Sequence, residues 1–106
     1  MGIFIGTSIG IGSSSNDVKT RKIVLSDPFI TQSGNVLFYN PAEIIYTPIA
    51  QDLLWYQDDV LIPDYIGLTD IIIRLDVPAS YYFYVTYYFI EIPPITLRSS
   101  NQIIIT

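Results

Sequence analysis

Short apolar runs separated by turn residues dominate the pattern of hydrophobic and polar positions along the chain. The runs are rich in Ile, Val, Tyr, Phe and Thr, which favour pleated surfaces. Seven prolines and clusters of Ser, Asp, Asn and Gly interrupt them. The pattern predicts strands near residues 2–12, 21–26, 35–39, 42–47, 58–62, 68–77, 81–92, 95–98 and 101–106.

Strands this short, joined by turns rather than helices, are typical of a sandwich or a barrel. We therefore expect an all-β fold, namely an antiparallel β-sandwich that is jelly-roll-like or immunoglobulin-like and carries an extended N-terminal strand or arm. Residues 1–16 would form the arm, and residues 17–106 would form a single β-sandwich domain.

One segment allows a helix instead of a strand. Thr47 and Pro48 resemble a helix cap followed by proline at the first helical position. Ile49 and Leu53 follow at a spacing of four, which would place them on one helical face. Such a helix would have one or two turns, and a strand across Leu53–Tyr56 fits the same residues nearly as well.

The N-terminal segment alternates between two very different faces. The odd positions carry β-branched side chains: Ile3, Ile5, Thr7, Ile9 and Ile11. The even positions are mostly small: Gly2, Phe4, Gly6, Ser8, Gly10 and Gly12. A nearly bare face lets another backbone approach closely, whereas glycine weakens an isolated strand. The segment is therefore either an arm that adds to a neighbour's sheet or an ordinary first strand under a covering loop.

The aromatic segment 81–92 is apolar on both faces. One face carries Tyr81, Phe83, Val85, Tyr87 and Phe89. The other carries Tyr82, Tyr84, Thr86, Tyr88, Ile90 and Ile92. One face must be core, and the other presents a row of tyrosines, which suit surfaces that are apolar but partly wet. The row is an oligomer interface, a sugar-stacking platform, or a surface covered by a second sheet of the same domain.

The chain also has two runs of three isoleucines. Ile103, Ile104 and Ile105 lie near the C-terminus, where an uncharged strand left free would be an aggregation hazard, so we expect it to pair within a sheet. The run at 71–73 lacks alternation, which predicts a strand buried on both faces. Pro93 and Pro94 are expected to stop the preceding aromatic strand.

Composition adds the expectation that some apolar surface meets something other than water. Half of the residues are hydrophobic and 14% are charged, against about 25% charged in an average domain. No apolar run reaches the ~20 residues of a membrane-spanning helix, and no basic residue precedes the N-terminal apolar stretch as in a signal peptide. A net charge of −5 disfavours nucleic-acid binding. We therefore expect a soluble protein without a signal peptide, membrane span or nucleic-acid partner.

Few residues are available for catalysis or metal binding. The chain has no His and no Cys, so the common general bases and thiol nucleophiles are missing. Carboxylates remain, and Asp58, Asp59 and Asp64 are weak candidates for a calcium site, since turn-forming aspartates beside Pro63 and Gly67 are far more common. We expect no catalytic residues and no cofactor.

These patterns together predict a non-enzymatic structural protein that forms homo-oligomers and joins other structural proteins of an assembly. A virion component fits best, such as a capsid decoration, neck or fibre-associated protein, located in a virion or an extracellular assembly. The predicted interface residues are Ile3, Phe4, Ile5, Ile9, Ile11, Tyr82, Tyr84, Tyr88, Ile103, Ile104 and Ile105. The alternative is a small carbohydrate-binding module that uses the tyrosine row and an aspartate-rich loop.

Overall fold

A computed structural model describes residues 22–106 of the chain. This part of the chain consists of strands, turns and one short 3₁₀ helix, Pro63–Tyr65. The strands are β1 (Val24–Ser26), β2 (Phe29–Ser33), β3 (Val36–Asn40), β4 (Glu43–Ile44), β5 (Ala50–Gln57), β6 (Val60–Leu61), β7 (Asp70–Ile72), β8 (Ala79–Tyr88), β9 (Ile95–Arg98) and β10 (Ile103–Ile105). No helix in residues 22–106 is long and apolar enough to cross a membrane.

The main sheet is built around β8. On one side, β8 pairs antiparallel with the whole of β5, from Ala50 opposite Tyr88 to Gln57 opposite Tyr81. On the other side, β9 and β10 lie end to end along β8, and each is antiparallel to it. β6 extends the sheet beyond β5 through a tight turn.

The second sheet is antiparallel and has the order β2-β3-β7. Its inward side chains, such as Leu37 and Ile71, join Trp55 and Phe83 of the main sheet in one buried cluster. The ring of Phe83 meets Trp55 and Tyr39 edge-on, each at a centroid distance of 5.2 Å. Edge-on aromatic pairs stabilise a core beyond the contribution of the buried apolar area alone. The two sheets are therefore held together by one continuous core.

Two tight turns follow from their residue types. The β2–β3 hairpin turns at Gly34, whose φ of +58° matches the first position of a type II′ turn. The β5–β6 hairpin turns at Asp58 and Asp59, whose φ values of 51° and 68° are those of a type I′ turn. Each aspartate then reaches β8: Asp58 accepts a hydrogen bond from the Ser80 amide (2.9 Å) and Asp59 one from the Tyr82 hydroxyl (2.9 Å).

The segment Ser99–Asn101, between β9 and β10, acts as a clip between the sheets. Ser99 completes the ladder beside β8, because its N–H donates to the Phe83 carbonyl oxygen and its hydroxyl accepts from the Phe83 N–H. Asn101 crosses to the second sheet. Its Oδ1 accepts from the Ile30 N–H (2.8 Å), and its Nδ2 donates to the Ile30 carbonyl oxygen (2.9 Å). The Asn101 side chain therefore bonds β2 as a neighbouring strand would.

The predicted all-β class is confirmed, since residues 22–106 form packed antiparallel sheets with the character of a sandwich. The helix considered after Thr47 is wrong, and the strand alternative is confirmed: Ala50–Gln57 pairs with β8 over its full length. The i,i+4 spacing of Ile49 and Leu53 could support a helix of only one or two turns, whereas β8 offers a pairing partner along the whole of β5. The predicted arm and its boundary at residue 16 lie outside the described residues.

Two strand predictions need correction, and one strand was missed. The strand predicted over 81–92 ends at Tyr88, because β5 begins at Ala50 and offers no partner beyond that point. The run at 71–73 is not buried on both faces. Ile71 and Ile73 face the core, whereas Ile72 lies on the outer face of the second sheet and is 65% exposed. The strand Phe29–Ser33 was not predicted, since the turn residues around it mask its short β-forming stretch.

Candidate interaction surface

The side of the main sheet turned away from the second sheet carries the tyrosine row. Because side chains alternate along a strand, the register places on this side every second residue of β5, β8, β9 and β10. We call these side chains the outer tyrosine face: Ala50, Asp52, Leu54, Tyr56, Ser80, Tyr82, Tyr84, Thr86, Tyr88, Thr96, Arg98 and Ile104. No other described element covers it.

Tyr82 lies at the centre of this face between two flat neighbours. The Tyr56 ring on β5 is parallel to it, with a 1° interplanar angle and centroids 5.2 Å apart. On the β9 side, the Arg98 guanidinium carbon lies 3.9 Å from the Tyr82 centroid, a cation–π distance. Tyr82 is therefore only 6% exposed although it faces outward. Both faces of its ring are occupied by its own chain.

Three further side chains on this face, those of Tyr84, Thr86 and Thr96, are also held by their neighbours. Tyr84 meets the rings of Tyr56 and Tyr82 edge-on, at 5.6 Å and 5.9 Å. Thr86 shares a hydroxyl hydrogen bond of 2.8 Å with Thr96. These contacts fix the rotamers before any partner arrives, which reduces the entropy lost on binding.

Two carboxylates anchor the tyrosine hydroxyls. Tyr82 donates to Asp59, and Tyr88 donates to Asp52 at 2.5 Å. The hydrogen bond to a carboxylate is the largest cause that raises the pKa of each phenol, because a phenolate beside a negative charge is disfavoured. These tyrosines are therefore neutral donors at physiological pH, and neither supplies a basic phenolate for catalysis.

We expect the tyrosines to make the fold sensitive to alkali. The pKa of Tyr39 is raised mainly by burial, as is that of Tyr81, and those of Tyr82 and Tyr88 by their carboxylates. In the unfolded chain each would ionise near its ordinary value of about 10. Stability is thus fully present below about pH 10 and falls as the pH rises above it, because the unfolded state loses its protons first.

Phenolate absorbance measured against pH tests this expectation. In denaturant the tyrosines should titrate near pH 10, whereas in the native protein Tyr39, Tyr81, Tyr82 and Tyr88 should titrate at higher pH. Asp59→Asn should lower the midpoint of Tyr82 and leave that of Tyr88 unchanged, and Asp52→Asn should do the reverse. A native titration curve that coincides with the curve in denaturant would contradict the assignment.

The C-terminal isoleucines divide between core and surface. Ile103 and Ile105 are half-buried against the core, opposite Tyr81 and Ala79 of β8. Ile104 lies on the outer tyrosine face and is 60% exposed. Of the three predicted C-terminal interface residues, the structure thus places only Ile104 where another molecule could reach its whole side chain.

The calcium candidates are not brought together as a metal site. Asp58 and Asp59 form the β5–β6 turn and bond to β8, and Asp64 lies in the 3₁₀ helix. Within residues 22–106, no group of three or more Asp, Glu, His or Cys side chains is placed to hold a metal ion. The two turn aspartates instead position Ser80 and Tyr82.

Sequence reasoning missed Tyr56 and Arg98, the two residues of this face that flank the Tyr82 ring. Tyr56 lies at the end of the strand considered across Leu53–Tyr56, but the sequence does not specify that this strand pairs with β8 and places Tyr56 opposite Tyr82. Arg98 is the last residue of the short strand β9, whose partner the sequence does not specify. The predicted interface residues Ile3, Phe4, Ile5, Ile9 and Ile11 lie outside the described residues.

Comparison with known proteins identifies no relative of this chain. No protein-family model, curated protein or solved structure matches it.

Proposed function

We propose that this protein is a non-enzymatic structural protein that forms homo-oligomers through its outer tyrosine face. The observation that carries the proposal is the lack of any covering element over that face among residues 22–106. Tyrosine and aliphatic side chains that are pre-ordered and partly exposed are typical of the central part of protein interfaces.

The chemistry of the face supports association rather than catalysis. The chain has no His and no Cys, and the carboxylates Asp52 and Asp59 are bonded to tyrosine hydroxyls. Each bond satisfies one tyrosine hydroxyl within the chain, so that hydroxyl would not need a new partner if a second copy covered the face.

The wider setting we propose is a virion or an extracellular assembly, in which the protein would be a capsid decoration, neck or fibre-associated component. Its support is architectural: a small β-sandwich-like domain with an acidic net charge and neither His nor Cys in its sequence. Fold does not determine function, so this part of the proposal rests on analogy.

The ring positions weigh against a sugar-stacking platform. A pyranose stacks on the open face of an aromatic ring, but Tyr82 has Tyr56 on one face and Arg98 on the other. Tyr84 is turned edge-on to both tyrosines and is only partly exposed. A carbohydrate would therefore have to displace contacts that the fold already makes.

The proposal is tested with two matched isoleucine variants. Ile104 on the outer tyrosine face and Ile72 on the outside of the second sheet are 60% and 65% exposed, and both lie in edge strands. Ile104→Lys is expected to weaken self-association at least ~10-fold, because it places a charge in the interface. Ile72→Lys is expected to leave association unchanged.

Sedimentation equilibrium over a range of protein concentrations measures the association constant for each variant. Circular dichroism serves as the control that both variants are folded. A wild-type protein that is monomeric throughout the range would overturn the proposal. Equal weakening by the two variants would also do so, since the outer tyrosine face would then have no special part.

A further inference from the structure

The edge of the main sheet formed by β9 and β10 presents main-chain groups that have no partner among residues 22–106. The N–H and C=O groups of the odd-numbered residues of β8 point towards β9 and β10. The bond from the Ser99 N–H to the Phe83 carbonyl oxygen (2.9 Å) shows this direction. Because bonding direction alternates along a strand, the register turns the N–H and C=O groups of Thr96, Arg98 and Ile104 away from β8. They face outward along the edge.

The other sheet edges in the described part of the chain are closed or short. Asn101 caps β2 at Ile30, and the Tyr65 hydroxyl donates to the Ile72 carbonyl oxygen on β7 (2.7 Å). β5 is covered by β6 and by the amides of Ile62 and Gly67, which bond to carbonyl oxygens of β5. The β9–β10 edge is therefore the long edge left without such protection, a state that folded proteins avoid.

The side chains beside this edge match the alternation of residues 2–12. On the core side lies a row of half-buried aliphatic residues, which an added strand could cover: Ile95, Leu97, Ile103 and Ile105. The odd positions of 2–12 supply four isoleucines and a threonine for that side. The mostly small even positions would lie on the outer side, where bulky Arg98 needs room.

The position of β1 brings the N-terminal part of the chain to one end of this edge. β1 pairs with β4, which lies between Ala42 and Tyr46 in the sequence. The Ala42 N–H donates to the Tyr87 hydroxyl (2.9 Å), and the Tyr46 ring packs on Phe89. Tyr87 is in turn opposite Ile95, the first residue of β9. The chain preceding β1 therefore starts from the Ile95 end of the edge.

We propose that residues 2–12 of the same polypeptide add to the β9–β10 edge as an antiparallel strand, with their odd positions towards the core. At about 3.3 Å per residue the segment would span about 36 Å, enough to run along both β9 and β10. Residues 13–23 connect it to β1. Because residues 2–12 are attached to the same chain, their effective concentration at the β9–β10 edge is in the millimolar range. They therefore occupy this edge in preference to the same segment of a neighbouring copy. The outer tyrosine face stays available for association between copies.

Amide hydrogen exchange in the full chain tests this strand addition. In the wild type, the amides of Thr96, Arg98 and Ile104 are expected to be protected at low and high protein concentration alike. In the variant Ile5→Lys/Ile9→Lys they are expected to exchange at least ~100-fold faster, because the edge opens. Ile72→Lys, on the outside of the second sheet and away from this edge, is the isoleucine-to-lysine control and keeps the protection.

The Leu97 amide, which bonds β8, should stay protected in every variant and so reports that the fold is intact. A mixture of isotopically labelled double variant and unlabelled wild type shows whether the strand comes from the same chain or from a neighbouring copy. If the edge amides of the labelled variant became protected in the mixture, a neighbouring copy would be supplying the strand. That transfer, or equal exchange of the edge amides in wild type and double variant, would overturn the proposal. Equal exchange in wild type and double variant leaves the association test unaffected, and after a transfer the comparison of Ile104→Lys with Ile72→Lys still tests the outer tyrosine face separately.

Discussion

Replacing Trp55 with alanine is expected to destabilise the domain by about 3–5 kcal/mol. Trp55 is fully buried at the centre of β5, directly opposite Phe83, whose ring it meets edge-on. Its Nε1–H also donates to the Leu68 carbonyl oxygen at 2.8 Å. Since a domain of this size has a total stability of about 5–15 kcal/mol, this one change removes a large share of it.

Urea unfolding followed by far-ultraviolet circular dichroism measures the loss, because the variant lacks the only tryptophan. Trp55→Phe keeps much of the ring volume and is expected to cost less than half as much. Val60→Ala, in the neighbouring strand and 66% exposed, should change stability by no more than about 0.5 kcal/mol. A loss below about 1 kcal/mol for Trp55→Ala would contradict the central place given to this side chain in the core.

Alternation predicted the two faces of the aromatic strand correctly. Tyr81, Phe83, Val85 and Tyr87 are buried in the core, and the tyrosine row lies on the opposite side. Alternation could not set the end of the strand, because pairing stops where the partner strand stops. The C-terminal isoleucines show the same limit: the run predicted a paired strand, but the register with β8 decides that only Ile104 is exposed.

The outer tyrosine face was predictable only in part, because its contacts join residues far apart in the sequence. Tyr82, Tyr84 and Tyr88 were recognised from the strand in which they lie. Tyr56 and Arg98 reach the same face through the pairing of β5 and β9 with β8, which a single sequence does not specify. The sequence predicted a turn or a calcium site at Asp58 and Asp59. It could not predict their bonds to Ser80 and Tyr82, because these depend on the register between β5 and β8.

Replacing Asn101 with alanine is expected to cost about 2–3 kcal/mol, the second-largest loss, although the residue is on the surface. The Asn101 side chain supplies both an acceptor and a donor to Ile30, whose N–H and C=O have no strand beside them. Ile30 is 3% exposed, so truncation leaves two main-chain groups poorly hydrated. The clip Ser99–Asn101 would then hold β8 through Ser99 while losing the Asn101 bonds to the second sheet.

Asn101→Asp separates the two hydrogen bonds, since a carboxylate can accept from the Ile30 N–H but places negative charge against the Ile30 carbonyl oxygen. It should therefore destabilise at least as much as alanine near neutral pH. Gln102→Ala, at the adjacent exposed position, is the control and should change stability by no more than about 0.5 kcal/mol. Urea unfolding followed by Trp55 fluorescence measures all three variants. Equal, small losses for Asn101→Ala and Gln102→Ala would show that water replaces the side chain fully and that the clip does not hold the sheets together.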